Sequence, residues 1–306
     1  MKVFITKEFT ESAANLPLKQ TEYGRATKGA AMAMLCKFYL NTKQWQQASL
    51  MADQIIGLNA YKLFPDITNL FAVQNNHNSE YIYYSPCASS PLGYGNLIMA
   101  HCFPPNYPIQ SNWINYATDF HILSWLVNSY DPNDKRLKLI LTSYVDIRGN
   151  TIQLNRDAIG NPLNLSAPFK YTPDPNSSAE HHGNYIPIIR YADILLSKAE
   201  ALNNINGPNN VSFDLIDSVR LRSGNLPINR SAYTTTDELN TQLLQERAWE
   251  FVGEGLRRMD MIRMGKFISS AQGRGLNAQS YMTLYPIPQS EIQNNPNLKQ
   301  NPGYPK

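Results

Sequence analysis

Residues 246–266 read ERAWEFVGEGLRRMDMIRMGK. Glu246, Glu250 and Glu254 recur at i, i+4 and i+8, so helical geometry sets them on one face, with Arg247, Arg257, Arg258 and Arg263 beside them. Two chemistries want such a row. A glycosidase pair or a carboxylate metal site needs converging acids, whereas an ion-pair network needs only neighbouring cations. Glu254 is spaced to meet Arg257 or Arg258, and Asp260 to meet Arg263, at about 0.2–0.5 kcal/mol per exposed pair. Glu246, Glu250, Glu254, Arg257, Asp260 and Arg263 therefore read as a structural ion-pair network, and no catalytic residue is assigned.

Outward from this segment, Leu239, Leu243, Leu244 and Phe251 mark the apolar face of a helix from Thr236 to about Val252, with Thr235 and Thr236 as capping oxygens and Glu238 near the positive start. Upstream, Ile188, Tyr191, Ala192, Leu195, Ala199 and Leu202 mark one helix, and Leu215, Ile216 and Val219 the next. Gly207 and Pro208 signal the turn between them. Further upstream, Ala30, Ala31, Met34, Leu35 and Phe38 share a face, and after a break at 41–44 the pattern resumes with Trp45, Ala48, Ala52, Ile55 and Ile56 before Gly57. Small residues on one helix and a large aromatic opening the next are similar to a tetratricopeptide unit. The expected fold is mainly α: a helical hairpin over 24–57, and a hairpin plus a third helix over 186–266.

Between them, 72–185 is a variable loop-rich region. Pro86, Pro91, Pro104, Pro105 and Pro108 open it, and Pro162, Pro168, Pro173 and Pro175 close it, which excludes regular helix except for a short one around 119–127. Alternation predicts few short strands, at 80–84 and 142–147. The tail, 267–306, carries Pro286, Pro288, Pro296, Pro302 and Pro305 and is expected to wrap as extended chain, beyond a turn at 289–293.

The 306 residues carry a net charge of +3 with no block of Lys or Arg, so the chain has no electrostatic footprint for nucleic acid or an anionic membrane. No GxSxG, HExxH, Walker loop or paired CxxC is present. His181 and His182 are adjacent, and neighbours on extended chain point to opposite faces, so no metal or other cofactor is expected. Cys87 and Cys102 flank a loop-rich stretch, and their spacing leaves a bridge open in an oxidising compartment.

Charged residues make up only 17%, and amides with 18 tyrosines fill the polar surface. Between Tyr94 and Tyr116 come Phe103, Tyr107 and Trp113, interleaved with Gly93, Gly95, Asn96, Asn106, Asn112 and Asn115. A pyranose offers apolar C–H faces for stacking and hydroxyls for amides, which both donate and accept. Trp113, Tyr107, Tyr94, Phe103, Tyr116 and Asn112 are the candidate ligand contacts. The other reading, rings that anchor a long loop to the core, stays open.

The 246–266 segment resembles the ER-x-x-E-F-x-x-E-G-x-R-x-x-D-x-x-R-x-G block of the SusD/RagB family, the surface nutrient-binding lipoproteins of Bacteroidetes. Further blocks agree in order: GRATKGAA at 24–31, RYADILL at 190–196 followed by Ala199-Glu200-Ala201, VRLRSG at 219–224, and YPIP at 285–288 leading to NPNLKQNPGY at 295–304. Leu256, Ala248 and Ser223 depart from the usual residues.

The resemblance implies a four-unit tetratricopeptide-like scaffold, of which this chain is expected to be a C-terminal portion. Family members begin with a lipoprotein signal, a lipidated cysteine and earlier helical units. It also implies a location at the outer-membrane surface, glycan contacts from the variable loops, most of all Trp113, and delivery to a TonB-dependent (SusC-like) transporter without enzymatic action. A protein-interaction scaffold is the alternative, and a glycoside hydrolase built on Glu246 and Glu250 the third.

Overall fold

The computed structural model describes residues 1–89 and 94–305; Pro91 and Gly93 lie outside the described residues. The chain divides into two compact units, Met1–Glu254 and Gly255–Lys306.

The first unit opens with α1 (Lys2–Asn15), α2 (Lys28–Asn41) and α3 (Trp45–Gly57), followed by β1 (Tyr81–Ser85). The proline-rich middle holds only short elements: α4 (Ile98–Cys102), α5 (Ser124–Ser129), β2 (Ile140–Leu141), β3 (Ser143–Val145), β4 (Thr151–Gln153) and β5 (Ala167–Pro168). β6 (Ile186–Arg190) returns antiparallel to β1 and runs straight into α6 (Tyr191–Asn206), α7 (Asn210–Arg222) and α8 (Thr236–Glu250). The architecture is mainly α, with few short strands. Successive helices stack: α1 on α2, α2 on α3, α3 on α6, α6 on α7 and α8.

Small side chains make that stacking close. Ala33, Cys36, Ala52 and Ile55 are buried with Ile82, Ile189 and Ile194, which joins α2, α3, the β1/β6 pair and α6 into one core. Trp45 packs on Leu40, Ala48 and Ala201 where α2, α3 and α6 meet. The Thr27 hydroxyl accepts from the Ala30 amide at 3.2 Å and starts α2. Gly29 follows because nothing larger fits: a Cβ there would stand 2.0 Å from the Tyr61 hydroxyl. Gly29→Ala is expected to destabilise the fold by about 1–3 kcal/mol through overpacking, read as a lower urea midpoint; an unchanged midpoint would show that Tyr61 swings away freely.

A second core lies under the loop-rich region, where Ile67, Leu70, Phe71, Met99, Cys102, Phe103 and Tyr171 are buried together. The three cysteines are free, so Cys87 and Cys102 do not pair.

Several elements differ from the sequence reading. Ile188 belongs to β6, not to the following helix, and is 44% exposed. The short helix lies at Ser124–Ser129 rather than 119–127. Helix α8 opens with a capping box, in which the Thr235 hydroxyl accepts from the Glu238 amide and the Glu238 carboxylate from the Thr235 amide. It stops at Glu250 because the chain turns at once, with Gly253 at φ 77° in the left-handed region. Glu254 therefore does not continue the row of Glu246 and Glu250. Helix α1 has no buried residue, and so left no apolar stripe to read.

The second unit is not simply extended tail. It contains α9 (Arg257–Arg263), α10 (Phe267–Gly273) and α11 (Gln289–Asn294). Its centre is Arg258, whose guanidinium lies over the rings of Phe267 at 5.1 Å and Tyr285 at 4.0 Å and donates to the carbonyls of Met282 and Thr283. Tyr304 donates to the Leu284 carbonyl at 2.7 Å and meets Tyr281 edge-on, which ties the end of the chain back.

Candidate functional site

The aromatic stretch separates into buried and exposed rings. Phe103 is fully buried at the middle of a stack, with Tyr107 at 5.5 Å on one side and Trp113 at 5.8 Å on the other. It offers no face to a ligand, so its assignment as a ligand contact is corrected: burial in the second core wins over stacking. Tyr107 is half-buried against Phe169 and Tyr144. Trp113 is half-buried with its edge toward His182, and Asn112 uses its amide on the Ser177 carbonyl at 3.0 Å. Tyr94 and Asn112 are exposed.

Tyr116 belongs to a different surface. It is 43% exposed and stacks at 4.7 Å on His101, which meets Phe120 at 6.1 Å. His101 Nδ1 lies 2.5 Å from Asp119 Oδ2. Between Tyr116 and Asp119 the backbone passes through the left-handed region twice, at Ala117 (φ 61°) and Thr118 (φ 64°). Neither is glycine, and Thr118 is β-branched, so this turn carries strain of the kind that concentrates at functional sites. It is held by the Thr118 hydroxyl donating to the Phe103 carbonyl and the Asp119 amide donating to the His101 carbonyl.

Beside these rings is a cavity of about 410 Å³, walled by Phe120, His121, Leu123 and Trp125 and floored by Pro168 and Tyr171. Phe120 is 49% and Trp125 41% exposed. Tyr116, Phe120 and Trp125 thus form one aromatic face at the edge of an apolar cavity, with Asp119 and His121 as polar neighbours. Phe120 and Trp125 lie outside the 94–116 stretch in which the sequence concentrates its candidate contacts, in the part of the loop-rich region where a short helix is expected. The signal available was the continuation of the aromatic run past Tyr116.

Lys170 also lines this cavity and leads into the interior. Its ammonium donates to Glu254 and to the Glu250 carbonyl. There five cations, Arg136, Lys170, Arg190, Arg220 and Arg222, face five carboxylates, Glu80, Asp134, Glu246, Glu250 and Glu254. Arg136 joins Asp134, Glu246 and Glu250; Arg190 joins Glu80, Glu250 and Glu254; Arg222 joins Glu80 and Glu250; Arg220 joins Glu246. Glu246 and Glu250 meet partners far along the chain, deep in the first unit. Asp260 pairs with Arg263 at 2.9 Å within α9, which Arg257 opens in the second unit.

The electrostatics oppose acid catalysis. Burial pushes the Glu250 carboxyl up, but Arg222, Arg190, Arg136 and Lys170 outweigh it and hold the group well below the usual carboxylate range. A glycosidase acid needs the reverse shift and access to substrate, and Glu246 and Glu250 are buried.

His182 behaves differently. Buried beneath Trp113, it takes a hydrogen bond on Nδ1 from the Asp174 amide, and burial pushes its pKa down to about 4. The unfolded chain binds that proton first, so His182 contributes stability at neutral pH that is lost as pH falls from about 6.5 towards 4. Urea midpoints are expected to drop between pH 7 and pH 5, and His182→Gln to flatten that drop; equal slopes would contradict it.

Stacked helical hairpins carrying a loop-borne aromatic face define a mainly α, tetratricopeptide-like scaffold. The chain matches the SusD family model over residues 53–304 and belongs to that family. It is 25% identical to the starch-binding protein SusD of Bacteroides thetaiotaomicron over 98% of this chain and 65% of that protein. It is 26% identical to SusD-like protein P25 of Formosa agariphila, over 92% and 59%. The chain thus spans about two-thirds or less of these relatives. Among solved structures it resembles a laminarin-binding SusD-like protein, with TM-score 0.80, 26% identity, and 99% of this chain and 68% of that one covered. A SusD homologue from Bacteroides thetaiotaomicron shares the fold at TM-score 0.82 and 21% identity, covering 99% and 70%.

Proposed function

We propose that this protein is a non-enzymatic glycan receptor of the outer-membrane surface, which holds a neutral oligosaccharide against Tyr116, Phe120 and Trp125 and delivers it to a TonB-dependent, SusC-like transporter. The observation that carries the reading is the group of exposed rings, Tyr116 and Phe120 about His101 and Trp125 at the wall of an apolar cavity, beside the strained turn at Ala117 and Thr118. Rings stack on the C–H faces of a sugar, while Asp119 and His121 take hydroxyls. Trp113 and Tyr107 support this face from below through Phe103 and are not its contact surface. Tyr94, Asn112 and Tyr116 do not line the cavity among the described residues; Tyr116 is tied to it through His101, which it stacks on and which meets Phe120. Relatives named for starch and laminarin support a glucan-type ligand.

Titration of the folded protein with neutral hexasaccharides, laminarihexaose and maltohexaose first, tests the reading. Saturable binding that changes little between 50 and 500 mM salt is expected, because recognition uses rings and neutral groups rather than ion pairs. A folded protein that binds no member of a broad neutral glycan panel would overturn the ligand assignment.

A further inference from the structure

A second cavity, of about 360 Å³, lies between β1 and the segment that leads into α2. Five tyrosines line it, Tyr23, Tyr61, Tyr81, Tyr83 and Tyr84, together with His77, and Tyr81 is buried. Most of these rings are fixed by their neighbours. Tyr61 is hydrogen-bonded to Thr27 and lies against Gly29. Tyr84 is met by the Gly24 backbone and stacks on Tyr185 at 5.3 Å. His77 takes Tyr185 edge-on at 5.2 Å and Tyr23 face-on at 3.8 Å. Tyr23 differs from the others: one face rests on His77, yet the residue is 59% exposed.

The polar groups around it are mostly neutral. Gln20, whose amide donates to the Ala26 carbonyl at 2.7 Å, presents a carbonyl oxygen as acceptor, and the Ser79 and Tyr83 hydroxyls line the same space. The charged residues of the lining, Lys19, Glu22 and Arg25, are exposed, and Glu22 and Arg25 pair at 2.6 Å. A pocket selective for an ion sets a charge inside; here ring faces and neutral hydrogen-bonding groups do the selecting.

We infer that this cavity is a second saccharide site, which takes a neutral pyranose unit on the exposed face of Tyr23 with its hydroxyls met by Gln20, Ser79 and Tyr83. The inference rests on the reading of the protein as a glycan receptor, and it places a second contact on the helical scaffold, outside the loop-borne face. His77, behind Tyr23, is a positioning residue that holds the ring.

Protein-observed NMR separates the two sites, with the His77 imidazole and the Trp125 indole as local probes during titration with laminarihexaose and with maltohexaose. Both signals are expected to move, each with its own Kd. Tyr23→Ala should weaken the His77 response roughly tenfold, the equivalent of about 1.4 kcal/mol, and leave that of Trp125 in place. Tyr23→Phe should keep it, and Trp125→Ala should leave the His77 response in place. If Trp125 responds while His77 stays still, or if Tyr23→Ala leaves the His77 response unchanged, the second site is overturned and the first stands. If neither signal responds to any neutral saccharide, the receptor reading falls and this site with it.

Discussion

Arg190→Met is expected to destabilise the protein by about 3–5 kcal/mol, because it removes one member of a buried charge set and leaves its partners behind. Arg190 is enclosed and touches Glu80, Glu250 and Glu254, and its guanidinium also lies over Phe71 and Phe251 at 5.3 and 4.9 Å. Desolvating ten charges is unfavourable, and the network survives because every carboxylate meets at least one cation and the total is neutral. Removing one cation leaves Glu254 with Lys170 and Glu80 with Arg222, but the interior carries one excess negative charge. Urea or thermal denaturation reads the loss directly. A loss under 1 kcal/mol would mean that water or a proton enters to replace the guanidinium. Removing Arg25, which pairs with Glu22 in the open, should have no measurable effect.

Trp125→Ala is expected to weaken glycan binding about thirtyfold, or roughly 2 kcal/mol, as for a central aromatic contact in a small interface. Trp125 is 41% exposed at the cavity wall, so its loss should leave the denaturation midpoint nearly unchanged. The two effects thus separate: Arg190→Met acts on stability and Trp125→Ala on affinity. Phe103→Ala supplies the contrast, since a fully buried ring should affect folding first. Isothermal titration with the best-bound neutral hexasaccharide, beside a melting curve for each variant, checks all three. Undiminished affinity in Trp125→Ala would move the binding face elsewhere.

The helical parts of the fold could be read from local pattern. Helices α2, α3, α7 and α8 have apolar residues at helical spacing and, in α2 and α8, threonine caps, and both signals act within a few residues. The carboxylates Glu246 and Glu250 were equally visible, but their partners were not. Arg136 lies 110 residues from Glu246 and Arg190 lies 60 from Glu250, and sequence spacing reports only neighbours at three or four positions. That is why short exposed pairs were expected where a buried network exists.

The proposed binding face was hardest to place, for a related reason. Phe103, Trp113, Phe120 and Trp125 are alike as residue types; the first three stand in irregular chain and Trp125 in a helix of six residues, too short for a period to tell inside from outside. Only tertiary packing buries Phe103 and leaves Phe120 and Trp125 at the surface.

The ten-charge network joins chain segments of different character. Glu80, Asp134, Arg136 and Lys170 come from the loop-rich region, while Arg190, Arg220, Arg222, Glu246 and Glu250 come from the β6–α8 scaffold and Glu254 from the turn after it. It therefore works as a socket: the loop region plugs in through four residues, and the stretch between Glu80 and Asp134, which carries Tyr116, Phe120 and Trp125, is anchored in it at both ends. Such a joint lets the specificity of the protein diversify by insertion and exchange while its frame stays constant.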